Sequence, residues 1–263
     1  QSQDSLKRIY RLLSLLVKDN RENQRHLLPQ LSSIFLQHFQ MPNIPGIMQF
    51  FSHFVSRNYD LTDDQHLVNN LTKILFQQVD KYDANNPVSS YLLKIISNLV
   101  FTAKKRSRST QNLVLRKLFE AQNIIEKDGL QLTPACFIEL SDEVNASFQE
   151  KIYRDNKGII IPSKASYIIA FIKLLCTCCE GKNSFCENIS QNIVSLQTAI
   201  SIINSTGLHI VFKKPILDFI FEVYVDTEKE SSLTFQELVI NVAAPLLTDF
   251  TKILTGEFQG TST

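Results

Sequence analysis

The stretch YIIAFIKLLCTCCEGKN, residues 167–183, is an apolar helical stripe that stops at a glycine turn. Ile168, Ile169, Phe171, Ile172, Leu175, Cys176 and Cys179 recur at the three-and-four spacing of one buried helix face. Gly181 offers the left-handed residue on which such helices end. Asn183 can begin a second helix by accepting a backbone N–H bond. The pattern predicts one helix running into another across a very tight corner.

The same grammar appears twice more. Leu6, Ile9, Tyr10, Leu12, Leu13, Leu16 and Val17 form an apolar face, followed by the polar run Lys18 to Gln24 and by Leu27, Leu28, Leu31, Ile34 and Phe35. Tyr91, Leu92, Ile95, Ile96, Leu99 and Val100 lead into a basic corner, Lys104 to Thr110, and then into Leu113, Val114, Leu118 and Phe119. The corners lie roughly 70 to 90 residues apart, about two repeats of the armadillo or HEAT kind. The reading is an all-α, armadillo/HEAT-like helical-repeat solenoid.

Bulk composition agrees. Apolar residues make up 44% and charged residues 20% of 263, which supplies ample core material. Seven glycines and no tryptophan argue against a turn-rich β-sandwich. The net charge of +1 gives no general electrostatic case for nucleic acid. The longest near-apolar run, Tyr167 to Cys179, contains Lys173 and is too short to span a bilayer. The first residues are polar and include Asp4, unlike a signal peptide. Opening at Gln1 without methionine, the chain is expected to be a segment of a longer protein.

Along the chain, helical pairs are expected at about 5–39 and 44–80, broken by Pro42, Pro45 and Gly46, and at about 88–126. Asp128-Gly129, Pro134, Lys157-Gly158 and Pro162 mark 127–164 as a weakly structured insertion, in which Ile159 to Ile161 reads as a short extended piece or a loop. Helices are expected again at about 164–180, 184–203 and 212–225, with a last one at 233–255 bent at Pro245. With no low-complexity linker, residues 1–263 read as one domain.

Four stretches together resemble a known family. KLLCTCCEGKN (173–183) and FEVYVDTEKE (221–230) resemble the helical RIH domain of inositol trisphosphate receptors, in its central copy. LLVKDNRENQRHLL (15–28) is similar to the family's helix–Asn-Gln–helix entry. SSYLLKIISNLVFTAKKRSRSTQNLVLRKL (89–118) follows its hydrophobic helix, basic corner, Gln and second helix. The pieces occur in the family's order. Ryanodine receptors share the domain type, and the EGKN and YVDTE pieces favour the inositol trisphosphate branch. The resemblance implies a regulatory domain of a tetrameric calcium-release channel, on the cytosolic face of an endoplasmic-reticulum-type membrane. Its partners would be the other domains and subunits, with membrane contact only through the full-length protein. A free-standing armadillo-like scaffold for protein partners is the alternative.

Lys104, Lys105, Arg106 and Arg108 crowd one corner and are candidate ligand-binding residues, since clustered cations near a helix N-terminus suit a polyphosphate. A solvated loop is the other reading. The family's ligand site pairs the first domain copy with a β-trefoil, which this sequence lacks. Ser107 and Ser109, set among these cations, are candidate kinase sites or partner contacts.

Cys176, Cys178, Cys179 and Cys186 cluster, with Cys136 apart, but they lack paired metal-ligand spacing and a nearby histidine. Cys176 and Cys179 share the apolar stripe and Cys178 is expected to point away from it, as inert thiols. His26, His38, His53, His66 and His209 are scattered. Asp226, Glu228 and Glu230 lack the glycine and terminal glutamate of a calcium loop. No catalytic constellation, cofactor motif or metal site is read from the sequence, and the chain is taken as non-enzymatic.

Overall fold

Side-chain caps start several of the helices, and tight corners join them. The computed structural model describes residues 2–41, 46–58, 60–61, 64–100, 108–120, 132–152, 161–228, 238–244 and 247–248, with no strand among them. The helices are α1 (Ser2–Val17), α2 (Arg21–Leu27), α3 (Leu36–Gln40), α4 (Ile47–Val55), α5 (Gln65–Val79) and α6 (Pro87–Val100). They continue with α7 (Arg108–Glu120), α8 (Pro134–Ile152), α9 (Ser163–Cys179), α10 (Ser184–Ile193), α11 (Leu196–Ile203) and α12 (Ile210–Ile220). Wider π-helical turns precede α3 at Leu31–Phe35, extend α12 at Phe221–Val225, and recur at Val239–Ala243.

The fold is all-α. Helices α1, α4, α6, α9 and α12 pack one on the next in that order, as a ladder. Helices α5, α7 and α10 run as a second row, each touching its neighbour and a ladder helix. This is the stacking of a helical-repeat protein, in which each unit buries its apolar side on the units beside it. The core is continuous along the ladder. Its first half is aromatic, with Phe35, Phe39, Phe50, Phe51 and Phe54 in contact below Tyr10. Its second half mixes aliphatic side chains with Phe137, Phe171, Phe212 and Phe219 and centres on α9.

The predicted stripe on α9 is wider than one face. Tyr167, Ile168, Ala170, Phe171, Ile172, Leu174, Leu175, Cys176, Cys178 and Cys179 are all buried, because α6, α7, α8, α10 and α12 all pack on the helix. Cys178, expected to point away from the packed face, is fully buried.

Three other expectations change. The insertion expected at 127–164 contains α8, a helix of 19 residues. Pro134 starts this helix rather than breaking one: at a first helical position its missing N–H costs nothing, and Thr133 Oγ1 accepts the Cys136 N–H at 3.4 Å. The single helix expected at 184–203 is two, because Ser195 is extended and its hydroxyl caps α11 by accepting the Thr198 N–H at 3.1 Å. The helix expected at 212–225 becomes a π turn after Ile220. Pro42, Pro45, Ile159, Ile160, Pro245 and most of 233–255 lie outside the described residues.

Two glycines separate backbone strain from crowding. Gly46 caps α4 at φ +83°, and a Cβ there would lie 3.3 Å from the Tyr10 Cβ of α1. Gly207 has φ +91° and open space around it. Alanine at Gly207 is expected to cost about 1 kcal/mol from the left-handed backbone alone. Alanine at Gly46 is expected to cost more, by roughly another 1 kcal/mol, since α1 must shift on α4. Urea midpoints of the two variants check the order.

Candidate relay site at the helical corners

Three of the described corners share one construction, a residue in the left-handed region followed by an asparagine. Asp19 (φ +53°) precedes Asn20, whose side chain accepts the Asn23 N–H at 3.1 Å and caps α2. Gly181 and Lys182 (φ +85° and +63°) precede Asn183, which caps α10 through the Cys186 N–H at 3.5 Å. A further corner went unrecognised in the sequence: Arg57 (φ +56°) precedes the buried Asn58, which accepts the Leu61 N–H at 3.1 Å. Asparagine serves because its short side chain replaces the backbone acceptor that the turn removes.

Glutamines join one corner to the next. Gln24 at α2 is 2% exposed, and its amide reaches Val17 O at 3.2 Å, His53 O at 3.0 Å and Ser56 O at 3.1 Å. It thereby ties the end of α1 to the end of α4. Gln111 on α7 is 1% exposed and donates to Thr177 O at 3.3 Å and Glu180 O at 2.9 Å, where α9 ends. Its own oxygen accepts from Asn183 Nδ2 at 3.0 Å, whose other donor bond goes to Asn112 Oδ1 at 2.9 Å. Gln191 on α10 donates to Val223 O at 2.9 Å, in the π turn that ends α12. In each case the second helix of one unit satisfies carbonyls that the first helix of the next unit leaves open at its C-terminus. Gln24 and Gln111 stand in the sequence stretches that carry the family resemblance, whereas Gln191 carries no such mark. Their partners in the next unit lie 29 to 72 positions away and are not legible from sequence.

Charged groups overlay this lattice between α7, the α9–α10 corner and the segment after α12. Arg108 donates to Lys182 O at 3.2 Å and pairs with Glu228 at 3.7 Å, and Lys182 pairs with Asp226 at 3.4 Å. Glu187, 4% exposed, accepts the Glu228 N–H at 3.4 Å with one oxygen, while its other oxygen has no partner. Burial raises its carboxyl pKa, and Glu228 and Asp226 add to the rise. Arg116 lies over the Phe185 ring at 5.2 Å and joins α7 to α10. Near α2, Arg25 and Arg21 hold the Asp60 carboxyl below its usual range.

Of the candidate ligand-binding residues, Lys104, Lys105 and Arg106 lie outside the described residues, as does Ser107. Arg108 is exposed at the start of α7 and held by Glu228 and Lys182. Asp226 and Glu228 face Lys182 and Arg108, so the acidic run reads as ion-pair partners, with Glu230 outside the description. Among the described residues no group of three metal-ligating side chains converges. Burial pushes the Cys176 and Cys178 thiols well up, and the Cys179 thiol to about 12, which leaves them protonated. Three histidines have structural partners: His38 with Tyr10 at 2.6 Å, His53 with Ser14 at 2.8 Å, and His209 capping α12 through the Val211 N–H at 3.2 Å. No described helix is long and apolar enough to cross a membrane.

No curated protein matches the chain. The family model described as the RIH domain, of ryanodine and inositol trisphosphate receptors, matches residues 1–128, and so takes in α1 to α7 with Gln24 and Gln111. Residues 163–225 repeat the same ladder, corner and glutamine arrangement beyond the match. The chain's first 128 residues belong to the RIH domain family of the inositol trisphosphate and ryanodine receptors.

Proposed function

We propose that the chain, as one helical-repeat domain over residues 1–263, is a non-catalytic regulatory part of an inositol trisphosphate receptor-like calcium-release channel. It passes ligand binding elsewhere in the protein to a distant pore and contacts neighbouring domains and subunits of a tetramer. Its place is the cytosolic face of a calcium-store membrane. One observation carries this reading: the buried Gln24 and Gln111 and the half-buried Gln191 connect the ends of α4, α9 and α12 to the unit before each. A rotation at one corner is therefore felt at the next, and small rotations add along a solenoid. The RIH family match supports the channel context.

The reading separates a relay from a ligand sensor. Calorimetric titration of inositol trisphosphate into the purified chain at low salt is expected to give no saturable heat. Saturable binding that disappears when Lys104, Lys105 and Arg106 become alanine would make the basic corner the sensor and sink the relay assignment.

A further inference from the structure

We propose that the outer face where α6 meets α9 docks an acidic segment of a partner protein, with its carboxylates on Lys94 and Lys173 and an apolar side chain on Tyr91. The packing of the two helices builds this face. Ser97 Oγ of α6 lies 3.0 Å from Thr177 Oγ1 of α9. Lys94 stands one turn before Ser97 and Lys173 one turn before Thr177, and both lysines are exposed. Tyr91, 48% exposed, lies a further turn back on α6, and Lys94 Nζ is 5.1 Å from its ring centroid. One turn beyond Lys94, Asn98 donates to Ser52 O of α4 at 3.3 Å, so the face borders three ladder helices.

Charge selects the occupant. Helices α4, α6 and α9 contain no aspartate or glutamate. Among the described residues neither lysine is paired with an acid, whereas the exposed cations Arg21, Arg25, Lys182 and Lys214 all are. Partial burial and then the Lys173 ammonium lower the Lys94 pKa, so the two cations stand close enough to repel. Like charges held together by helix packing gain most from an anion laid across both. The same face of a second copy would bring only further lysines, which favours a carboxylate-bearing partner. The Tyr91 ring gives that partner's apolar side chain a place beside its acids. Such a segment spans two consecutive rungs and holds the angle between them. The surface stands on geometry and charge, and its effect on rotation rests on the relay reading.

The test uses the whole chain as wild type, K94E, K173E and K73E, the last reversing an exposed lysine on α5. The probe is a fluorescein-labelled peptide of glutamate and leucine, with its glutamine–leucine twin as the uncharged control. Fluorescence anisotropy at low salt is expected to show saturable binding of the acidic peptide alone. K94E or K173E is expected to weaken it at least about tenfold and K73E less than about twofold. Wild-type circular dichroism melts for the variants keep a loss of binding from being a loss of fold. Equal weakening by all three, or no binding to the wild type, overturns the surface. Hydrogen exchange then compares the free and peptide-bound wild type. At least about threefold slower exchange is expected at the Glu180 amide, which closes α9 on Cys176 O at 2.9 Å. Bound peptide with unchanged exchange there keeps the surface and overturns its link to the relay.

Discussion

Replacing Leu175 by aspartate is expected to abolish the cooperative melt of the chain. Leu175 is fully buried near the middle of α9, the ladder helix held between α6 and α12. An aspartate there has no cation among the surrounding Phe171, Ile172, Leu174, Cys178 and Cys179. It must either carry a charge in an apolar interior or take up a proton and still lose the leucine's packing. Either route costs at least about 4 kcal/mol, a large share of the 5–15 kcal/mol that holds a domain of this kind together. Leu175→Ala separates the two losses, since it removes packing alone at about 2–5 kcal/mol. Circular dichroism during heating checks both variants. A wild-type melt for the aspartate variant would show that α9 is not the centre of the core.

Gln111→Ala is the second large expectation, and it probes the corner lattice rather than the apolar core. The substitution removes the donors to Thr177 O and Glu180 O and the acceptor for Asn183 Nδ2, at a residue 1% exposed. Buried carbonyls left without a partner cost more than the net worth of the bonds that satisfied them, so a loss of about 2–4 kcal/mol is expected. The damage should be localised. Hydrogen exchange is expected to quicken at the α9–α10 corner, including the Cys186 amide that Asn183 accepts, while α1 to α4 stay protected. Gln65→Ala, at an exposed residue of α5, is expected to change stability by less than about 0.5 kcal/mol. Equal effects from the two substitutions would remove the glutamine link from the relay reading.

The elements read well from sequence were those with strong local grammar. The α9 stripe, the glycine stop at Gly181 and the cap at Asn183 are present as expected, and so is the Asn20 corner. Errors arose where one residue type serves two roles. Pro134 starts a helix as readily as it breaks one, and Ser195 caps a helix in a stretch whose apolar periodicity runs on without a mark. Arg57 carries no signal at all, because an arginine in the left-handed region looks like any other arginine in a sequence. Cys178 was misjudged for a different reason. Periodicity gives the direction of one packed face, whereas five helices pack on α9 and leave only the narrow stripe of Ser166, Ile169, Lys173 and Thr177 outside the core.

The sequence by itself determined that the chain is all-α, that its helices come in pairs across tight asparagine corners, and that it resembles the RIH domain. Those properties follow from interactions between residues a few positions apart, such as caps, stops and the 3.6-residue period. Only the tertiary structure decided that Gln24, Gln111 and Gln191 each close the end of the next unit's helix, and that Arg108 and Glu228 meet. Which carbonyls stay open at a helix end is local, but which side chain arrives to fill them depends on how the units stack. That stacking is fixed by burial summed over the whole ladder.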